Sequence, residues 1–138
     1  MAKNEEAVKK DLFGFGEKNV AFAKYFIGDS YLNGLVAPDD NIDVNVSNVN
    51  FEPGCRNDWH IHHDGFQILL VTAGEGWYQE EGKPAQLLKP GDVVAIHEGV
   101  KHWHGATKDS WFSYIAITKG TSEWLEKVDD EYYDQLEK

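Results

Sequence analysis

A single cysteine stands in 138 residues. With Cys55 alone, no intramolecular disulfide can form, and a thiolate metal site is excluded. Following Pro53 and Gly54, Cys55 reads as a small structural hydrophobe. Positive charge is also scarce: thirteen Lys and Arg face twenty-four Asp and Glu, a net charge of −11. The basic footprint that supplies most nucleic-acid affinity is missing, and the same balance disfavours anionic membrane surfaces. Many of the acids lie near the ends (Glu5, Glu6 and Asp11; Glu123, Glu126, Asp129 to Glu131), where solvation accounts for them. No apolar run approaches the ~20 residues of a membrane span. Met1-Ala2-Lys3-Asn4-Glu5-Glu6 is not followed by the apolar core of a signal peptide. The expectation is a soluble, cytoplasmic protein with one domain over residues 1–138. Its expected partner is a small molecule, with no nucleic acid and no membrane.

What is present is a succession of short β-like runs between turns. From Asn41 to Phe51 the chain alternates with period two, which predicts Ile42, Val44 and Val46 on one face. Gln67 to Ala73 is nearly continuously apolar, as in a strand covered on both sides. Gly74-Glu75-Gly76 breaks it, Glu81-Gly82-Lys83 reads as a hairpin tip, and Pro90-Gly91 and Lys108-Asp109-Ser110 are further turns. Regular turns without intervening helices predict an all-β antiparallel sandwich or barrel with its core at about 42–118. Ala2 to Lys10 has helical composition. The tail, about 121–138, is expected to be helical, with Trp124, Val128, Tyr132 and Leu136 on one face and Asp129 as an N-cap.

Two histidine pairs stand out on this background. His60 and His62 are two apart, as are His102 and His104. Alternate strand residues share a face, so two such pairs on nearby strands can direct several imidazoles into one pocket, an arrangement suited to a metal ion. His63 is expected to face away, His97 lies in a turn, and Asp58 and Asp64 read as exposed loop carboxylates, with hydrogen-bond acceptors behind the flanking histidines as the alternative. Trp59, Trp77, Trp103 and Trp111 read as core or interface residues.

In full, the first block is Gly54-x5-His60-x-His62-x4-Gln67-x6-Gly74, and the second is Gly91-x5-His97-x-Gly99-x2-His102-x3-Ala106. Both resemble the signature motifs of the cupin superfamily in order and spacing. Three residues depart: Gln67 replaces the motif's Glu, His97 its Pro and Ala106 its Asn. The resemblance implies a double-stranded β-helix (jelly-roll) barrel with short helical ends and one metal held by His60, His62, Gln67 and His102. A narrower resemblance covers most of the chain, through Phe51 to His62, Gly99 to Ala106, Phe22 to Gly28 and Trp124 to Val128. It is to small cupins associated with carboxymuconolactone decarboxylase-type proteins, among them manganese-dependent bacterial hydroxynitrile lyases. These use three His and one Gln, so Gln67 becomes a match. The implied metal is Mn2+, with Fe2+, Zn2+, Ni2+ and Co2+ as alternatives. Four neutral ligands would leave such an ion its full charge and sharpen its polarising power.

The same resemblance implies a pocket. His104 and Tyr114 are its candidate catalytic residues, with Ser47 and Val49 on one substrate-contacting wall; Phe112, Ala116 and Thr118 share strand parity with Tyr114 and are expected on the other. Tyr114 stands where those lyases carry a histidine. A simple hairpin turning at Lys108-Asp109-Ser110 would place Tyr114 opposite His104. Three functions stay open: a metal-dependent lyase on a small oxygenated substrate, an Fe(II) dioxygenase with the same ligands, and a non-catalytic binder or sensor. A homodimer or higher homo-oligomer is the expected assembly.

Overall fold

Glycine turns divide the β-forming runs into eleven strands among residues 2–136, which the computed structural model describes. In chain order the elements are α1 (Glu5–Lys9), β1 (Glu17–Lys18), a 3-10 turn (Ala23–Tyr25), β2 (Phe26–Ile27), β3 (Ser30–Val36), β4 (Asn45–Phe51) and β5 (Arg56–Asn57). There follow β6 (His60–Gly74), β7 (Gly76–Glu80), β8 (Gln86–Leu88), β9 (Val93–Ile96), β10 (His102–Ala106), β11 (Phe112–Trp124) and α2 (Asp130–Asp134). All pairings between these strands are antiparallel, in the order β1-β3-β4-β11-β6-β10-β5-β2, with β9 added to β6 and β7 bridging β10 and β8. The long β6 unites the barrel. It pairs with β11 along its length, with β9 at Gln67 to Leu70, and with β10 at His60.

Packing closes the lower half of the barrel. Phe51 and Phe112 are fully buried and meet edge to face, and Leu69, Val71, Val94 and Ile96 fill the space beside them. Each such side chain removed from water contributes about 1.5–3 kcal/mol. This apolar floor leaves the opposite end to the polar residues.

The face of β4 differs from the expectation. Ile42 is half exposed and precedes the strand, while Ser47 and Val49 line the interior cavity and Phe51 joins the core. Asn48 and Asn50, on the opposite face, are buried beneath the N-terminal arm and donate to the carbonyls of Gly14 and Phe15 at 2.6 and 2.8 Å. That arm supplies the cover which made alternation ambiguous. Strands before residue 42 also belong to the barrel, since β3 pairs with β4 from Ser30 to Val36. The Gln67–Ala73 run alternates between buried and partly exposed positions rather than being covered on both faces.

A bulge in β6 sets the site. His62 and Gln67 are five residues apart, an odd interval that would aim them at opposite faces of an unbroken strand. Between His63 and Phe66, however, Asp64 and Gly65 together oppose Gly120 of β11. Asp64 adopts φ 59° and Gly120 φ 92°, and the extra residue restores a common face. No side chain fits here. A Cβ on Gly65 would lie 2.0 Å from the carbonyl oxygen of Lys119, and one on Gly120 would lie 2.2 Å from that of His63.

The tail corrects a second expectation. Residues through Trp124 are strand, paired with β6 as far as His60, so Trp124 is not on a helix. The helix is confined to Asp130–Asp134, where the Asp129 side chain accepts from the Glu131 N–H at 3.0 Å as the expected N-cap. Val128 and Tyr133 pack on Trp77 and Trp103. Buried Arg56 holds the segment through Asp130, and its guanidinium lies 4.1 Å above the Tyr133 ring.

Candidate metal centre

His60 and His62 point inward from alternate positions of β6, and His102 joins them because β10 pairs with β6 at His102 and His60. One ring nitrogen from each lies within 4.8 Å of the others. The remaining nitrogens are anchored. Nδ1 of His60 is 2.8 Å from the carbonyl of Asp58, and Nδ1 of His102 is 3.0 Å from that of Val100. A carbonyl only accepts, so each Nδ1 donates and each Nε2 keeps its lone pair. Nε2 of His102 is buried with no hydrogen-bond partner among the described residues. Such an orphaned polar atom costs about 1–3 kcal/mol, a penalty that a coordinated cation would remove.

Burial keeps these imidazoles neutral, as ligands must be. It lowers His102 to about 4 and His60 well below its ordinary value, the latter reinforced by neighbouring His102 and His104. His62 is also lowered by burial. Gln67 completes the set, its Oε1 3.1 Å from His62 Nε2. Three imidazoles and an amide oxygen fit a divalent transition metal. The four residues expected to hold it are therefore together. Asp58 differs from expectation: it is buried and joined to Lys127 Nζ at 3.2 Å, while its carbonyl orients His60. Its place directly before Trp59-His60 was the available signal.

His104 also enters the barrel, buried beside the cluster, its ring centroid 5.6 Å from that of His60. Its Nδ1 lies 3.0 Å from Tyr114 Oη. The two do not face each other across a simple hairpin, because β10 pairs with β7 and β11 with β4 and β6. They meet across the barrel interior. Burial holds His104 well below its usual range and Tyr114 well above its own, so both are uncharged near neutrality. Asn57 was not anticipated. Its Oδ1 accepts from the His104 backbone N–H at 3.0 Å, and its Nδ2 lies 3.2 and 3.3 Å from the two ring nitrogens.

These groups open into a cavity of about 380 Å³, a size suited to a small ligand. Ser47, Val49 and Thr118 line it as expected, with Tyr114 and Ala116. Phe112 does not line it. That ring also points inward, but it lies opposite Phe51 in the β11–β4 register and joins the apolar floor behind Tyr114. Instead Phe22, Phe26 and Trp124 form an apolar wall, with Trp124 stacked 4.6 Å from both His60 and Tyr25. Phe22 and Phe26 carried no local pattern, and Trp124 was concealed by its helical spacing. Trp77, Trp103 and Trp111 are buried outside this cavity, as expected. His63 faces away and meets Glu123 at 2.7 Å, and His97 and Asp64 are exposed.

Comparison with known proteins agrees with this geometry. The chain is 41% identical over 115 residues to an (R)-mandelonitrile lyase of Granulicella tundricola, covering 80% of this chain and 87% of that protein. A cupin-like protein of Thermotoga maritima superposes with a TM-score of 0.83 at 43% identity, over 91% of this chain and 96% of that one. A DMSP lyase of Ruegeria pomeroyi shares the fold alone, with a TM-score of 0.60 at 19% identity over 94% of this chain and 64% of that one. Residues 47–118 match the Cupin domain family, a span containing all four candidate ligands, and the chain therefore belongs to that family.

Proposed function

We propose that this protein is a divalent-metal-dependent lyase, of hydroxynitrile-lyase type, that takes a small oxygenated substrate and uses Mn2+. The observation that carries the reading is the inward convergence of His60, His62 and His102 beside the uncharged His104–Tyr114 pair. The 41% identity to a mandelonitrile lyase supports the reaction class. A bound metal would supply Lewis-acid polarisation of a substrate oxygen. The chain's own residues would do the remainder. With Nδ1 donating to Tyr114 Oη, His104 offers its Nε2 lone pair to the hydroxyl proton of a cyanohydrin. As that proton moves, the bond to the nitrile carbon breaks and its electron pair leaves with cyanide. The hydroxyl carbon becomes a carbonyl. His104 then returns the proton to cyanide, giving an aldehyde and hydrogen cyanide. Tyr114 orients the imidazole, and the Phe22, Phe26 and Trp124 wall excludes water.

The proposed assembly is a homodimer, to be measured by light scattering. No helix among the described residues is long and apolar enough to cross a membrane. Elemental analysis of the purified protein and of His60→Ala and His102→Ala tests the centre. About one Mn per chain, lost in both variants, is expected, whereas metal retained in both would sink the site. Mandelonitrile cleavage assayed without O2 tests the reaction. Turnover that requires O2 would favour the oxygenase reading instead.

A further inference from the structure

Strand β11 brings two hydroxyls to the metal ligands. Thr118 lies opposite Gln67 and Ser122 opposite His62 in the β11–β6 register. Gln67 Nε2 donates to Thr118 Oγ1 at 3.0 Å, and that contact has a direction. A glutamine amide has one accepting end and one donating end, and only the oxygen offers lone pairs to a cation. With its NH2 group tied to Thr118, Gln67 turns Oε1 toward His62. Reversing the amide would point two N–H groups at the cluster.

Ser122 addresses the same problem at His62. Backbone carbonyls anchor Nδ1 of His60 and His102, but Nδ1 of His62 has the Ser122 hydroxyl, 3.2 Å away. Without an ion, Nε2 donates to Gln67 Oε1; with one bound, a Ser122 hydroxyl accepting from Nδ1–H would leave the Nε2 lone pair to the ion.

We propose that Thr118 and Ser122 are positioning residues for the metal: Thr118 selects which end of Gln67 faces the ion, and Ser122 selects which nitrogen of His62 does. The inference rests on the metal reading and is independent of the reaction. It also carries an internal control. Both oxygens of a carboxylate accept, so a Glu ligand needs no such selection, and Thr118 should matter only while residue 67 is Gln.

The test is titration of Mn2+ alone into the chelator-treated full chain, with free ion followed by its EPR signal. Thr118→Val and Ser122→Ala should each bind about 10–100-fold more weakly than the parent, while Thr118→Ser stays within about threefold. In a Gln67→Glu background, Thr118→Val should change affinity by less than about threefold. Equal loss in both backgrounds, which a merely structural threonine would give, overturns the proposal, as does no loss with Gln67 present. A parent chain that binds no Mn2+ removes the metal reading itself, and this proposal with it. Binding by the parent with unchanged variants removes only the positioning roles.

Discussion

Tyr114 Oη lies 3.0 Å from Nδ1 of His104, although the two residues come from strands that do not pair with each other. The contact crosses the barrel and ties the His104 imidazole to the wall formed by β11. Tyrosine titrates near 10 in water, and burial here raises it further, so Tyr114 can donate or accept a hydrogen bond but is a poor base.

Tyr114→His should therefore raise mandelonitrile cleavage, by about tenfold or more in kcat/KM, by adding a second group able to take the hydroxyl proton. Initial rates of benzaldehyde release measure it. An unchanged rate in a folded, metal-loaded variant would count against the shared geometry of positions 104 and 114.

Trp124→Ala should raise KM for an aryl cyanohydrin about tenfold with a smaller change in kcat. The ring forms cavity wall and stacks on His60 rather than meeting His104, so its loss removes binding that ground and transition states share. A fall in kcat with KM unchanged would contradict this role.

Acid should destabilise the chelator-treated protein. His102 is lowered to about 4, and His60 and His62 are lowered also. Between those values and the unfolded value near 6.5, the unfolded chain binds more protons than the folded one. Their neutral burial thus favours the fold fully above about pH 6.5, and that contribution declines as pH falls toward 4, by at most about 1.4 kcal/mol per pH unit for each histidine. Urea midpoints from pH 7.5 to 4.5 report it. The slope should flatten in His102→Gln, and an identical slope would argue against the assignment.

Gly65→Ala should cost more than about 2 kcal/mol, because the new methyl group meets a backbone carbonyl that cannot yield. Thermal unfolding should show the loss, accompanied by weaker metal binding. Gly82→Ala is the control: unlike Gly65 it has positive φ, but open space surrounds its Cβ position, so only local backbone strain is added.

Much of the centre was legible because its information is local. His60 and His62 share a face by strand periodicity alone, and the turns at Gly82 and Gly91 delimit the strands as read. Gln67 was legible only through the family motif. Its distance from His62 has the wrong parity for a regular strand, and the bulge opposite Gly120 is a property of two segments more than fifty residues apart. Trp124 shows the reverse error. Its spacing of four with Val128 and Tyr132 suits a helix, but pairing with β6 outweighs that local pattern. Ile42 and Val46 promised a core face, yet the interior took Ser47 and Val49 because the N-terminal arm covers the other side. Asn57 and Ser122 had no sequence signal, since a polar residue declares its partner only when the chain has closed.

The two-for-one mismatch between Asp64-Gly65 and Gly120 also bears on which changes of chain length the centre can absorb. Removing one residue between His62 and Gln67 would leave an even interval, and a flat strand could then present the same donor. At the present length the amide reaches the centre only while the facing strand stays bare at position 120. A residue that touches no ligand is thereby bound to the donor set as firmly as a ligand is, and substitutions at Gly120 and deletions at Gly65 should be accepted together more readily than apart.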